Sequence, residues 1–233
     1  MTTNVRYELQ GNVATVTLDD GKANALSYAM MEEIEAALAR AEREASALVL
    51  TGRAGRFCAG FDLKEMMSGA DNARKLVGRG ADFLLRLYGY PLPLVVACSG
   101  HALAGGALVV LTGDVRVGAE GPFKIGLNEL QLGMPIPILA MEIARDRLEK
   151  KYLARATLFA ETPEPRTAVD FGYLDEVAAP EALLSVAAAH ATKLAGLSRD
   201  AYAKSKNAMR ERTIQYVRET LAADLLRLTG PTS

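Results

Sequence analysis

The stretch SGHALAGGALVVLTGD, residues 99–114, joins a glycine-rich turn to an uncharged apolar run of helical length. Immediately before it, residues 94–98 are short, β-branched and uncharged, which predicts a strand buried on both faces. A glycine turn that leads into a helix can direct backbone N–H groups at a negative centre. The strand, the turn and the buried helix together predict the floor of a functional site.

Upstream of this stretch the sequence alternates strand and helix patterns. Residues 5–9 and 13–18 alternate apolar and polar side chains around Gly-Asn, which predicts a β-hairpin. Ser27 is a favourable N-cap for a helix with an apolar stripe, and residues 47–51 form a buried strand. Residues 52–63 are predicted to be a loop, and a helix is predicted over residues 74–88.

Downstream, the expected elements are a strand at 114–118, a loop at 123–133, a helix at 138–159 and a nearly all-helical segment beyond Pro180. Strands that alternate with helices indicate an α/β fold with mainly parallel pairing. We expect a core over residues 1–178 and a helical C-terminal region over residues 179–233.

Composition restricts the class of partner. The 233 residues are 50% hydrophobic and 24% charged, with 27 basic against 28 acidic side chains, so no net field favours nucleic acid. Only two cysteines and two histidines are present, without the spacing of a metal site, and no metal is expected. A small-molecule substrate is therefore favoured.

Neither a secretory signal nor a membrane span is expected. The N-terminus lacks the apolar core of a signal peptide, which predicts a cytoplasmic protein. The uncharged run at residues 87–113 is long enough to cross a bilayer, but prolines and glycines divide it into a strand and a helix.

Two motifs together resemble those of a known family. Phe-Cys-Ala-Gly-Phe-Asp-Leu-Lys-Glu-Met at residues 57–66, followed by Ser-Gly-His-Ala-Leu-Ala-Gly-Gly at residues 99–106, resembles the crotonase superfamily of enoyl-CoA hydratases and isomerases. The resemblance covers residues 5–177. It implies a crotonase-like spiral of ββα turns, acyl-CoA thioester substrates, and a homotrimer or dimer of trimers, with coenzyme A present only as part of the substrate.

The resemblance also assigns roles to individual residues. The backbone N–H groups of Ala59 and Gly105 match the family's oxyanion hole, which holds the thioester oxygen as it gains charge. Family hydratases use two glutamates, and the matching positions are Leu108 and Glu129. Because only Glu129 carries a carboxyl group, the resemblance favours the mitochondrial-type 3,2-enoyl-CoA isomerase branch, where one base moves one proton.

Apolar neighbours on both sides of Glu129, taken together with the family resemblance, favour a functional carboxyl group over an exposed loop acid. In a dry pocket its pKa is expected to rise toward neutrality. The resemblance places coenzyme A against the residues Lys22, Ala23, Ala25, Phe61, Leu63 and Lys64. Lys22 and Lys64 either pair with its phosphates or simply face solvent.

Two other functions stay open. A hydratase would need an acid from another position, and a non-catalytic acyl-CoA-binding or assembly subunit would need none. Residues 134–139, Met-Pro-Ile-Pro-Ile-Leu, replace a glycine-rich run of the family hydratases and predict a different, more apolar acyl pocket. The sequence ends short of the final helix that commonly helps to cover the coenzyme A site, so we expect that cover to differ.

Overall fold

The computed structural model describes residues 3–229, which form nine strands and nine α-helices. The strands are β1 (Val5–Gln10), β2 (Val13–Leu18), β3 (Ala47–Gly52), β4 (Gly55–Cys58), β5 (Leu94–Cys98), β6 (Gly100–Leu103), β7 (Val115–Ala119), β8 (Ile125–Gly126) and β9 (Glu176–Ala178). The helices are α1 (Tyr28–Glu44), α2 (Leu63–Met66), α3 (Ala70–Tyr88), α4 (Gly105–Thr112), α5 (Ile138–Arg147), α6 (Leu153–Thr157), α7 (Pro165–Phe171), α8 (Leu183–Ala195) and α9 (Arg199–Thr229). No helix within residues 3–229 is long and apolar enough to cross a membrane.

The strands form two sheets that the chain visits in turn. A six-stranded sheet has the order β1-β2-β3-β5-β7-β9, with β1–β2 antiparallel and the other pairs parallel. A smaller parallel sheet has the order β4-β6-β8. Because β3, β5 and β7 join the large sheet and the strand after each joins the small one, the chain winds as a spiral of ββα turns. The predicted α/β class and hairpin are confirmed.

Alternation along the buried strands divides the core between the two faces of the large sheet. Leu48 and Leu50 pack into the larger cluster with α1, α3 and α4, whereas Val49 packs into a second cluster with Ala187 and Ala191 of α8. The first of the predicted C-terminal helices therefore covers one face of the sheet. The boundary between residues 178 and 179 coincides with the end of β9 and stays a prediction as a domain boundary.

Two segments predicted as loops contain short strands. Residues 52–63 include β4, and residues 123–133 include β8 and a 3-10 helix, Glu129–Leu132. The glycine turn predicted at the start of residues 99–114 is itself mostly β6. These strands have only two to four residues, so they carry no periodicity of their own and depend on pairing with one another.

The single helix predicted over residues 138–159 is wrong, since the chain forms α5, a 3-10 turn and α6 there. The break lies at Leu148, whose backbone is extended, and the next N–H, that of Glu149, donates to the carbonyl oxygen of Phe171 at 3.0 Å. A bond to a remote segment thus replaces the next helical bond. Helix α3 is also longer than predicted, beginning at Ala70 rather than Arg74.

A buried ion cluster anchors α9 to the large sheet. Asp114, between α4 and β7, contacts Lys206 Nζ at 2.5 Å and Arg210 Nη2 at 2.8 Å, and its Oδ2 accepts the Leu94 N–H at 2.8 Å. Arg210 Nη1 also donates to the carbonyl oxygens of Tyr88 and Thr112 at 2.6 and 3.0 Å. Loss of one partner would leave buried charges without compensation.

We expect Asp114→Asn to lower the free energy of unfolding by about 3 kcal/mol, because it leaves Lys206 and Arg210 buried without an anion. Asp200→Asn is the matched control, since Asp200 pairs with Lys204 on the exposed surface of α9. Chemical denaturation of both variants measures the difference. Equal stability of the two variants would contradict the anchoring role of Asp114.

Candidate active site

One cavity of about 910 Å³ lies between the two sequence motifs and the end of α9. Its walls are mainly apolar. They include Ala59, Phe61, Leu63, Met66, Ala73, Val77, Leu108, Met134, Leu139, Leu221, Leu225 and Leu228. Asn128, Glu129, Asp224 and Arg227 are the polar side chains that line it within residues 3–229. A large apolar cavity with few polar groups is typical of a small-molecule site.

The two motif turns touch each other through glycines. A methyl group at Gly60, where φ is +91°, would lie 2.9 Å from the Leu103 carbonyl oxygen and 3.2 Å from the Gly105 nitrogen. A methyl group at Gly106 would lie 2.1 Å from the Cys58 carbonyl oxygen. Only glycine allows the backbones to approach this closely. The small residues of both motifs therefore bring Ala59 and the start of α4 to one place.

The Gly105 N–H is available as a donor. Gly105 is the first residue of α4, so its N–H has no acceptor within the helix, and none of the backbone bonds within residues 3–229 uses it. The preceding residue, Ala104, has φ +49°, an unfavourable backbone conformation for alanine. It is held by its N–H to the Gly126 carbonyl at 3.0 Å and its own carbonyl to the Leu108 N–H at 3.1 Å.

The Ala59 N–H is already paired. It donates to the carbonyl oxygen of Ala23 at 3.0 Å, although Ala59 itself lines the cavity. Of the two donors assigned to the oxyanion hole, the Gly105 N–H has no backbone acceptor among the described residues, whereas the Ala59 N–H would have to share its hydrogen with a ligand.

Glu129 is a buried carboxyl group in the wall of the cavity. It begins the 3-10 helix after β8, is 7% exposed, and its Oε2 has no hydrogen-bond partner within residues 3–229. Burial raises the pKa of this carboxyl group to about 7, and a bond from its own backbone N–H offsets only part of the effect. A carboxyl group of this kind gains and loses a proton near neutral pH.

The second carboxyl group in the cavity wall, Asp224, is fully occupied. Its Oδ2 accepts the Ile138 N–H at 2.7 Å at the start of α5, and its Oδ1 accepts from Arg227 at 2.7 Å. Leu108, which faces the cavity from α4, has no polar atom in its side chain. Glu129 is thus the cavity carboxyl group with an uncommitted oxygen among the described residues.

The residues predicted to contact coenzyme A fall into three groups. Phe61 and Leu63 line the cavity, and the Phe61 ring packs so closely over Gly80 of α3 that a methyl group there would lie 2.1 Å from it. Ala23 is brought to the motif by its bond with Ala59. Lys22, Ala25 and Lys64 do not line the cavity, and both lysines are exposed, so a role in phosphate binding stays a prediction.

Sequence reasoning missed Asn24, which fixes the loop before α1 against β4. Its side chain is fully buried, and Nδ2 donates to the carbonyl oxygens of Leu18, Arg56 and Phe57 at 3.0, 3.0 and 3.2 Å. Its φ of +53° is one that asparagine tolerates better than most residues. An asparagine in a polar loop that contains Asp-Gly could have signalled this conformation.

Comparison with known proteins agrees with this geometry. Residues 8–231 match the family described as enoyl-CoA hydratase/isomerase. The chain belongs to the enoyl-CoA hydratase/isomerase family. A solved family structure from Pseudomonas syringae is 38% identical, with a TM-score of 0.94 over 97% of this chain and 98% of that one. The predicted family and crotonase fold are confirmed.

Curated members of the enoyl-CoA hydratase/isomerase family carry both kinds of name. A probable enoyl-CoA hydratase of Rhodobacter capsulatus is 39% identical over 50% of this chain and 46% of the relative, so that match spans about half of the relative's length. The mitochondrial enoyl-CoA delta isomerase 1 of mouse is 30% identical over 97% of this chain and 80% of the relative. Similarity alone therefore leaves the reaction open.

Glu129 is expected to make stability depend on pH. Its pKa in the folded chain, about 7, lies above the ordinary 4.5, so its neutral form favours folding and this contribution is lost as pH rises through 7. Replacement by neutral Gln avoids the loss. We expect Glu129→Gln to be more stable than the wild type by about 3 kcal/mol at pH 8, with a much smaller difference near pH 4.5.

Chemical denaturation of both chains at the two pH values measures this dependence. Glu211→Gln, on the exposed surface of α9, is the matched control and should show the same difference from the wild type at both values. If the difference in unfolding free energy between Glu129→Gln and the wild type does not change with pH, the Glu129 carboxyl group is not buried.

The contact between α4 and β4 is expected to tolerate no side chain at position 106. Gly106→Ala places a methyl group 2.1 Å from the Cys58 carbonyl oxygen, whereas Gly105→Ala meets the Leu26 and Phe61 side chains at 3.3 and 3.5 Å and the Gly60 Cα at 3.4 Å, which are ordinary or only slightly tight contacts. We expect Gly106→Ala to cost about 1–3 kcal/mol of stability and to exceed the cost of Gly105→Ala. Thermal unfolding of both variants tests this order of stability. A larger cost for Gly105→Ala than for Gly106→Ala would contradict the close contact of Gly106 with the Cys58 backbone.

Proposed function

We propose that this chain isomerises 3-enoyl-CoA thioesters to 2-enoyl-CoA thioesters. The observation that carries the proposal is that Glu129 is the one uncommitted carboxyl group among the described residues of an apolar cavity, where Leu108 stands at the position of the second glutamate of family hydratases. Moving a double bond requires one base that removes a proton and returns it, whereas adding water divides the work between two groups. Coenzyme A enters only as part of the substrate.

In the proposed reaction the Glu129 carboxylate removes a proton from C2 of the substrate. The electron pair of the broken C–H bond moves toward the thioester carbonyl, which becomes an enolate oxygen. The Gly105 N–H stabilises that oxygen at the positive end of α4, and the Ala59 N–H can be shared between it and Ala23. The protonated Glu129 then delivers the proton to C4, so the double bond lies between C2 and C3.

The electrostatics of Glu129 suit both halves of this cycle. With a pKa of about 7, the group is partly ionised at neutral pH, so it can act as a base and then release the same proton. The apolar walls around it favour the neutral acid and exclude water that would otherwise exchange with the transferred proton.

Hydration of 2-enoyl-CoA is the second candidate. It is favoured by the Asn128 Oδ1 atom, which is buried without a partner within residues 3–229 and belongs to the residue next to Glu129. A water that donates to Asn128 and Glu129 would be positioned for attack. The proposed homotrimer or dimer of trimers is compatible with either reaction.

Assays of both reactions with the same enzyme preparation test the proposal. We expect isomerisation of 3-enoyl-CoA to exceed hydration of 2-enoyl-CoA, and Glu129→Gln to lower isomerisation by at least about a hundredfold because it removes the base. Glu211→Gln is the control and should retain activity. A Glu129→Gln variant that isomerises 3-enoyl-CoA at the wild-type rate would contradict the assignment of Glu129 as the base.

Leu108→Glu discriminates between the two reactions. It introduces the second carboxyl group on the cavity wall, so the ratio of hydration to isomerisation is expected to rise, and Leu108→Gln separates the effect of charge from that of polarity. Hydration that already dominates in the wild type would favour the second candidate. Ligand binding without turnover or solvent deuterium exchange at C2 would favour a non-catalytic subunit.

A further inference from the structure

Tyr173 connects a remote part of the chain to the segment that carries Glu129. The residue follows α7, is fully buried, and its hydroxyl oxygen accepts the backbone N–H of Leu127 at 3.3 Å. Leu127 comes directly after β8 and lies two residues before Glu129. The bond therefore acts on the backbone immediately before the proposed base.

The surroundings of Tyr173 fix its backbone, and its ring is fully buried and stacked beside the Phe171 ring at 6.5 Å between centroids. Its N–H donates to the Ala168 carbonyl at 2.9 Å, and the preceding residue, Gly172, ends α7 in the left-handed conformation with φ +86°. Arg116 binds the residues on either side, donating to the Gly172 carbonyl and to the Asp175 carboxylate. A rigid ring can transmit its position to the Leu127 backbone.

The position of the Glu129 carboxyl group depends on such support, because hydrogen bonds of its own side chain do little to fix it. Its Oε2 has no partner within residues 3–229, so the location of the carboxyl group depends on the backbone that carries it. Burial raises the pKa of the Tyr173 hydroxyl, the bond from the Leu127 N–H lowers it in part, and the charge of Glu129 raises it, so the hydroxyl remains neutral. The tyrosine therefore adds no charge that competes with Glu129.

We propose that Tyr173 is a positioning residue for Glu129, whose hydroxyl fixes the Leu127 N–H and thereby keeps the Glu129 carboxyl group in its dry location. The role rests on the proposed function, in which Glu129 is the base. Without the hydroxyl, the buried Leu127 N–H loses its acceptor and must find water or move. Either change hydrates Glu129, which lowers its pKa and displaces it from the substrate.

Tyr173→Phe tests this role, because it keeps the ring and removes the hydroxyl oxygen. Tyr90→Phe is the matched control, since Tyr90 is equally buried and its hydroxyl bonds a backbone carbonyl, that of Leu38, at 2.9 Å. We expect Tyr173→Phe to lower kcat by about tenfold with KM within about twofold, and to shift the acidic limb of the kcat profile down by about half a pH unit. Tyr90→Phe should leave both unchanged.

If Tyr173 had a merely structural role, Tyr173→Phe would lower thermal stability without shifting the acidic limb of the pH profile of kcat. Wild-type kcat and an unshifted limb in folded Tyr173→Phe would overturn the proposal, as would the same changes in Tyr90→Phe. If Tyr173→Phe does not fold, hydrogen exchange in the unmodified chain decides. The Leu127 amide is then expected to be as protected as amides within α4, and exchange at the rate of an exposed loop would overturn the bond.

Failure of the proposed function gives a different result. A wild-type chain without isomerase activity would overturn that function, while the positioning role remains measurable through the pH dependence of unfolding. If Tyr173→Phe hydrates Glu129, its stability loss between pH 4.5 and 8 is smaller than that of the wild type. An equal loss of stability in the wild type and in Tyr173→Phe would overturn the positioning role without bearing on the proposed function.

Discussion

The desolvation of one carboxyl group is the constraint on which the proposed chemistry depends. Glu129 lies in an apolar cavity with one oxygen unpaired among the described residues, and burial raises its pKa to about 7. An exposed glutamate would be ionised at neutral pH and would be a poor proton donor. The fold keeps Glu129 in surroundings that disfavour its ionised form. Because these surroundings raise its pKa to about 7, the group can accept a proton and return it near neutral pH.

Close contacts between small residues create this environment. Gly60 and Gly106 let the turn after β4 touch the start of α4, so Ala59 of that turn and Leu108 of α4 line the same cavity as Glu129. The far wall comes from α9, which the buried pairs of Asp114 with Lys206 and Arg210 hold against the rest of the chain. Substitutions far from Glu129 can therefore alter the cavity without touching a reacting atom.

Much of the fold could be predicted because its long elements carry strong local patterns. The hairpin, the Ser27 cap and the strand ending at Cys98 follow from alternation, capping chemistry and β-branched composition. The short strands of the small sheet could not be predicted, since they are stable only when paired with one another. The break at Leu148 was missed for a similar reason, because a bond to the remote Phe171 carbonyl replaces a helical one.

The sequence offers candidate site residues where its motifs resemble those of the family. Ala59, Gly105 and Glu129 are predicted in this way, but pairing of the Ala59 N–H with Ala23 and the bond between Leu127 and Tyr173 depend on contacts between distant segments. The most direct test is a 13C NMR titration of glutamate carboxyl carbons, with Glu129→Gln used for assignment. Glu129 is expected to titrate near pH 7, and a midpoint near 4.5 would contradict the burial of its carboxyl group.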